Sequence, residues 1–446
     1  MKKTIVIQGA ELCNEGRRFT GSLVVEDTRI SRIYEGTDVP MLEGAEVVDG
    51  RGMLLLPGVI DDHVHMRDPG LTRKATMDTE SAAAAAGGVT TVMDMPNVVP
   101  QTVTLERVEE KLAYAASHCH VNHAFFLGAT NDNIQEIRNA DPRRIPGIKL
   151  FMGSSTGNML VDKREQLERI FRESPMLVMA HCEDTARITT RMKELELRYG
   201  TDDPDVVHHA EIRDSECCIM SSRLAVEMAL AAGTRLHIAH LTTAAETEMV
   251  RQLSSSLITA EACVTHLLYT DADYQRLGTR IKCNPSVKSE ADRAALRRGV
   301  ADGTISIVAT DHAPHLLSEK AGGCRKAMSG MPMVQFSLLS MLEMASEGLF
   351  SIERIVEVMC HNPARLFQID RRGFLREGYQ ADLVLVKPCE GHKVDKSEVL
   401  SLCGWSPREG DTLHWRVERT WVNGQQVWDG QHVDRRIMGQ ALVFDR

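Results

Sequence analysis

Several features are missing from this 446-residue chain, and each absence removes a class of protein. No Cys-x-x-Cys pair occurs among its eleven cysteines, which lie scattered along the chain. That usage fits a reducing cytosol rather than a disulfide scaffold, and Cys218, Cys263 and Cys360 sit in apolar contexts, as small buried hydrophobes do. No apolar run approaches the roughly 18 residues that a membrane span requires. The start, Met1-Lys2-Lys3-Thr4-Ile5-Val6-Ile7, lacks the long apolar stretch of a signal peptide and reads as a first strand. Basic residues are not in excess: the formal net charge is −10 and the pI is near 6.0. This argues against general binding of nucleic acid or anionic membrane but leaves room for a small anionic substrate, because a site's field is local. The expectation is a cytoplasmic protein with a small-molecule substrate.

What is present is ordinary in bulk, with 43% hydrophobic and 26% charged residues, and long enough for one large domain and a smaller one. Short β-type runs occupy the start (Thr4–Gln8, Ser22–Glu26, Ile30–Tyr34, Ala45–Asp49). They return at the end as Ala381–Val386, Val417–Val422, Gln425–Trp428 and Ala441–Phe444. Asn423-Gly424 between two of these runs is a strong hairpin signal. Residues 1–56 with 366–446 are therefore expected to form one small β-sandwich domain. Between them, 57–365 alternates apolar strand candidates with helical patterns. The strands are Pro57–His65, Gly88–Met95, Val121–Gly128, Gly147–Met152, Met176–His181, Leu236–His240, Ile258–His266 and Ile305–Asp311. Helices are expected over Thr104–Ser117, Asp162–Glu173, Asp214–Ala232 and Ser289–Ala301. Eight alternations in some 300 residues predict an α/β fold, a (β/α)8 TIM barrel. The runner-up is an open doubly wound sheet. No strand candidate is followed by Gly-x-Gly-x-x-Gly, so a dinucleotide site is not supported.

The chemistry-bearing residues gather at strand ends. The first strand closes on Asp61-Asp62-His63-Val64-His65-Met66-Arg67-Asp68-Pro69-Gly70. Residues two apart in a strand point the same way, so His63 and His65 project together, with Arg67 just beyond. Lys149 lies in the fourth strand, His181 ends the fifth, His240 the sixth, and Asp311-His312-Ala313-Pro314-His315 follows the eighth. In a barrel these share the carboxyl-end face, where such enzymes place their sites. A lone strand-end histidine is more often a hydrogen-bonded structural residue, and a lone aspartate before it reads as a helix cap. Four histidines and an aspartate at one end of separate strands point instead to metal. His118, His120, His123, His208, His209, His392, His414 and His432 do not share that placement and are read as structural or exposed.

The set His63-x-His65-x-Arg67-Asp68-Pro69-Gly70, Asp94-Met95-Pro96-Asn97, Gly147-Ile148-Lys149-Leu150-Phe151, His181, His240 and Asp311-His312-Ala313-Pro314-His315 resembles the amidohydrolase superfamily and, within it, the dihydroorotases. The likeness extends to Asn362-Pro363-Ala364 and Gly378-Tyr379-Gln380-Ala381-Asp382-Leu383. It implies reversible ring closure of N-carbamoyl-L-aspartate to L-dihydroorotate, a step of pyrimidine synthesis, at a binuclear zinc centre bridged by hydroxide. His63, His65 and Asp311 would bind one Zn2+ and His181 and His240 the second. Carbamylated Lys149 would bridge them, and Asp311 would act as general base and then acid. Arg67 would grip the substrate carboxylate with Asn97 and His315, and Asn284 would add a further contact. A homodimer and an association with aspartate carbamoyltransferase are also implied. An allantoinase or a dihydropyrimidinase (hydantoinase) is the alternative, as those relatives usually lack the arginine and the second histidine of Asp311–His315. Two departures stand out: Asn284-Pro285-Ser286-Val287-Lys288 replaces the usual Asn-Pro-Pro-Leu-Arg, and His266 stands alone where relatives often have two histidines. His266 is read as structural. Gly153–Gly157 has the make-up of a lid loop in which Thr156 could reach substrate.

Overall fold

The computed structural model describes residues 3–36, 42–153, 159–253 and 255–446. The Ser154–Gly157 part of the expected lid, with Thr156, lies outside the described residues.

The amino-terminal strands are β1 (Thr4–Asn14), β2 (Arg17–Glu26), β3 (Arg29–Glu35), β4 (Glu46–Asp49) and β5 (Leu54–Pro57). The parallel strands that follow are β6 (Val59–Val64), β7 (Val89–Asp94), β8 (Asn122–Phe125), β9 (Leu127–Gly128), β10 (Ile148–Phe151), β11 (Val178–His181), β12 (Leu236–Ile238), β13 (Ile258–Cys263) and β14 (Ile307–Ala309). The carboxyl-terminal strands are β15 (Leu383–Lys393), β16 (Thr412–Val422) and β17 (Gln425–Trp428).

Both chain ends share one sheet, because β5 pairs antiparallel with β15, Leu55 opposite Leu385. A sandwich of two sheets was expected, but the hydrogen bonds of the described residues define a single sheet of eight strands. The reason lies in β1. Its register breaks between Ile7 and Ala10, at Gly9, whose φ of 71° suits glycine. Before the break β1 pairs with β4 and beyond it with β5, so one bent strand holds two parallel neighbours on the same side. The expected hairpin is present at Asn423 and Gly424 (φ 50° and 74°), joining β16 to β17. Ala441–Phe444 is not a strand: it makes isolated bridges, Ala441 to His123 and Phe444 to Ile369.

The middle of the chain forms two parallel arcs in chain order, β6-β7-β8 and β9-β10-β11-β12-β13-β14. They adjoin where β8 and β9 continue one run interrupted at Phe126, whose N–H donates to Asp94 O. At the far side, Val64 bridges His312 in parallel, and His65 N donates to His312 O at 2.7 Å. The eight strand positions and their direction are as expected. Gly58 links β5 to β6, and a Cβ there would lie 2.1 Å from Thr90 Oγ1, so the crossing admits no side chain.

Three of the expected helices start at capping side chains, while Arg164–Glu173 starts without one. Thr104, Asp214 and Ser289 accept the N–H of Arg107, Cys217 and Asp292 and start Leu105–Ala115, Ser215–Ala232 and Glu290–Asp302, as helix N-caps do. Period-two alternation then sorts each strand. Val92, Val178 and Val308 join the core shared with the helices. Met93, Met179 and Ile307 point the other way, into a cluster with Phe367 and Phe444. That inward face, continued two residues at a time, carries β11 from Met179 to His181 and the β14 run from Ile307 to Asp311. Of the eleven cysteines, only Cys389 is not buried. Among the described residues, no helix is long and apolar enough to cross a membrane.

Candidate active site

One cleft brings together His63, His65, Arg67, Asn97, His181, His240, Asn284 and Asp311, with Phe151, Ala313, Ser329 and Gly330 completing its wall. Lys149 lies beneath it, fully buried, with its ammonium 3.5 Å from His63 Nε2. His315 stands behind Arg67, Nε2 3.1 Å from Arg67 Nη2.

The imidazoles are oriented from behind. His63 Nδ1 meets Glu261 Oε1 at 2.5 Å, His65 Nδ1 meets Asn97 Oδ1 at 2.7 Å, and His181 Nε2 meets Glu183 Oε2 at 2.9 Å. A carboxylate or amide oxygen can only accept, so in each case that ring nitrogen carries the proton. Each ring then turns a lone pair inward: His63 Nε2 and His65 Nε2 lie 3.4 and 3.0 Å from Asp311 Oδ1, and His181 Nδ1 lies 2.8 Å from His240 Nε2. Among the described residues, His240 Nδ1 is buried without a hydrogen-bond partner. Converging lone pairs and a carboxylate, each ring anchored by an outer acceptor, are the donor set of a metal centre. His63, His65 and Asp311 can share one ion.

Electrostatics agree. Burial lowers the His65 pKa to about 4 and the His240 pKa far below its ordinary value, keeping both rings in the neutral form that ligates. Burial opposes charge on Asp311, and the facing His63 and His65 rings lower its pKa to the extent that they carry a proton. Burial also lowers the Lys149 pKa, which favours the free amine over the ammonium. Arg67 (φ 69°), His240 (φ 38°) and Asp311 (φ 48°) adopt left-handed backbone. Such strain collects where side chains must be aimed rather than packed.

Arg67 is 2% exposed. Its Nε donates to Pro314 O at 3.1 Å, and among the described residues no carboxylate lies within ion-pairing distance of it. Its neighbour Asp68 turns away, with Oδ2 accepting the Met77 N–H. Asn284 Oδ1 lies 3.2 Å from His209 Nε2. His266 falls in a short helix, Val264–Leu268, rather than at the end of the strand, and contacts Pro285 O at 3.0 Å. Glu261 and Glu183 went unassigned in the sequence. Their signals were a lone acid inside the apolar run Ile258–Cys263, and an acid two residues past His181.

A model of the amidohydrolase family matches residues 54–427. The chain belongs to the amidohydrolase family. A dihydroorotase of Halobacterium salinarum is 37% identical, over 88% of this chain and 90% of that protein. One from Methanosarcina mazei is 32% identical over 93% and 92%. An allantoinase of Bacillus velezensis is 30% identical over 99% and 98%. Among solved structures, an L-hydantoinase (dihydropyrimidinase) from Arthrobacter aurescens superposes with a TM-score of 0.90 at 28% identity, covering 97% of each chain.

Proposed function

We propose that this amidohydrolase is a dihydroorotase, interconverting N-carbamoyl-L-aspartate and L-dihydroorotate in pyrimidine synthesis. The observation that carries the reading is the buried guanidinium of Arg67, without a carboxylate partner among the described residues, at the wall of a histidine-lined cleft. A buried cation without a counter-ion is costly unless the ligand brings the anion. Dihydroorotate brings a carboxylate that the uncharged ureides of an allantoinase or hydantoinase lack. The relatives named dihydroorotase support the same choice.

His63, His65 and Asp311 would hold one zinc ion, His181 and His240 a second, and Lys149, carbamylated by carbon dioxide, would bridge them. Bound there, the pair supplies Lewis acidity that polarises the ring carbonyl and acidifies water. The desolvated amine of Lys149 suits this role, because only a neutral amine adds carbon dioxide, giving an anionic oxygen donor and releasing a proton. Asp311, ionised and facing the cleft, takes the proton of the water that adds to the ring carbonyl. As the carbon–nitrogen bond breaks it returns that proton to the ring nitrogen, and in ring closure the order reverses. Arg67 holds the carboxylate, with Asn97 and Asn284 as further substrate contacts. His315, expected to join them, is fully buried behind Arg67 and bears on the guanidinium instead of touching substrate.

The same reading takes the two arcs as one (β/α)8 barrel over 57–365, with the β domain built from 1–56 and 366–446. It also takes the protein to be a cytoplasmic homodimer that associates with aspartate carbamoyltransferase, which sedimentation and co-purification check. Metal-replete protein is expected to interconvert the two substrates. Protein that leaves both unchanged while opening allantoin or a hydantoin would overturn the assignment.

A further inference from the structure

Behind Arg67 lies a group of buried cations that the reaction as described does not use. Lys74 is 4% exposed, and its Nζ sits 3.0 Å from His315 Nδ1 and 3.3 Å from Glu319 Oε1. On its other side His315 has two neighbours at Nε2, Ser329 O at 3.0 Å and Arg67 Nη2 at 3.1 Å. The Ser329 segment is itself pinned: Lys282 Nζ bonds Ala327 O and Ser329 Oγ, and Lys320 Nζ donates to Met328 O and Gly330 O.

A neutral imidazole carries one N–H, and these neighbours decide where it sits. Burial and the cations around it, Arg67, Lys74 and Lys320, push the His315 pKa far down, so the ring is neutral. Burial lowers the Lys74 pKa but Glu319 Oε1 at 3.3 Å supports its charge, and an ammonium can only donate. Glu319 Oε2, 3.6 Å from His315 Nδ1, is beyond hydrogen-bond range, so Nδ1 accepts from Lys74. The ring proton is then on Nε2, where it donates to Ser329 O. The other tautomer would set a lone pair against Ser329 O and leave Lys74 facing an N–H. The consequence falls on Arg67. With Nε2 protonated, donor faces donor at 3.1 Å, so the ring accepts nothing from Nη2 and the guanidinium hydrogens turn to an anion instead. With Nε2 bare, His315 would consume one of them.

We propose that Lys74 is a positioning residue for substrate recognition: by donating to His315 Nδ1 it fixes the Nε2–H tautomer and so reserves the Arg67 guanidinium for the substrate carboxylate. The inference rests on the dihydroorotase reading for the identity of that carboxylate. The tautomer itself does not depend on it.

Two measurements test this. Neutron diffraction from crystals of the wild-type protein is expected to place the His315 proton on Nε2; a proton on Nδ1 overturns the proposal whatever the activity. In steady-state kinetics, Lys74→Met is expected to raise KM for L-dihydroorotate about tenfold or more, the worth of one charge-assisted hydrogen bond. Its kcat should stay within about twofold and its bound metal unchanged. Lys74→Gln, whose amide can still donate, should recover part of the loss. A KM for Lys74→Met within about twofold of wild type overturns the proposal, as does a loss confined to kcat. If Lys74→Met fails to fold, the Lys74→Gln kinetics and the neutron map decide. Wild-type protein inert toward L-dihydroorotate would refute the functional reading instead, and the map would still decide the tautomer.

Discussion

Replacing Glu261 with glutamine separates metal affinity from folding, because this carboxylate does two opposite things. Oε1 meets His63 Nδ1 at 2.5 Å and accepts the His240 N–H at 2.9 Å, supporting two candidate ligands from one atom. Oε2 has no hydrogen-bond partner among the described residues and lies 3.5 Å from His237 Nε2. That nitrogen is in turn 3.6 Å from Asp62 Oδ2. Burial and the nearby Glu261 charge push the Asp62 pKa well up, so Glu261 is a cost to Asp62 and an aid to His63. Glu261→Gln keeps an acceptor oxygen for His63 and the His240 amide but loses the charge that makes His63 a better ligand. Removing such an outer partner lowers metal affinity about 10- to 100-fold, or about 1.4 to 2.7 kcal/mol. The metal-free protein should meanwhile melt close to wild type, since the attraction of His63 and His237 for the ionised Glu261 is lost together with its repulsion on Asp62. Competition with a graded chelator measures the first effect, and thermal unfolding of chelator-stripped protein the second. Metal affinity within about twofold of wild type, or an early-melting apo-protein, would refute the reasoning.

Lys149→Ala should lower the metal bound per chain from two to one or fewer, read by elemental analysis, while the fold persists; two tightly held ions would refute the bridge. Lys111 Nζ pairs with Asp94 Oδ2 in a buried ion pair, so Lys111→Met should cost about 3 to 5 kcal/mol in denaturant titration. Asp94→Asn added to it should restore part of that. The pKa values of His123 and His266 are lowered to about 4 by burial. An unfolded histidine takes up a proton below about pH 6.5 while these rings do not until about 4, so the unfolded state binds more protons in that window. Stability of the metal-free protein should therefore fall as pH drops from about 6.5 to 4, by up to about 3 kcal/mol per ring. A denaturant midpoint that is flat or rising on acidification contradicts this.

The parts of the fold that follow from local chemistry were readable from the chain. Caps at Thr104, Asp214 and Ser289, the Asn423-Gly424 turn and period-two alternation depend on residues a few positions apart. His181 and Asp311 could be found for the same reason, as continuations of their strands' inward faces. His63, His65 and His240 were instead found as histidines at strand ends, and reach the site through a register shift in β6 and a left-handed turn at His240. What escaped depends on distant partners. Glu261 and His63 meet across the strand arcs, 198 positions apart, and nothing local to either announces the other. Lys74 and His315 are 241 positions apart. The single bent sheet in place of a sandwich turns on which neighbours β1 takes on each side of Gly9, a matter of register rather than composition. Ala441–Phe444 has the alternation of a strand, but it meets only isolated partners and forms no ladder.

If Arg67 is an anion site in its own right, binding and chemistry can be pulled apart. The guanidinium is held by Pro314 O on one side and flanked by His315 on the other, and neither contact involves the candidate metal ligands. Its burial cost is therefore present in metal-free protein and is offset whenever a carboxylate arrives. A ligand bound only to the folded state stabilises it by RT ln(1 + [L]/Kd), about 2.7 kcal/mol at a concentration of 100 Kd. L-Dihydroorotate should accordingly raise the melting temperature of chelator-stripped protein by a degree or more. Dihydrouracil, the same ring without the carboxylate, should not. Arg67→Met should abolish the shift while leaving the unliganded melting temperature level with or above wild type, because a buried unpaired charge has been replaced by an apolar chain of similar length. Differential scanning calorimetry with the two ligands on the two proteins decides the matter. Equal shifts from both rings, or a shift that survives in Arg67→Met, would move substrate recognition away from Arg67 and return the allantoinase and hydantoinase readings to consideration.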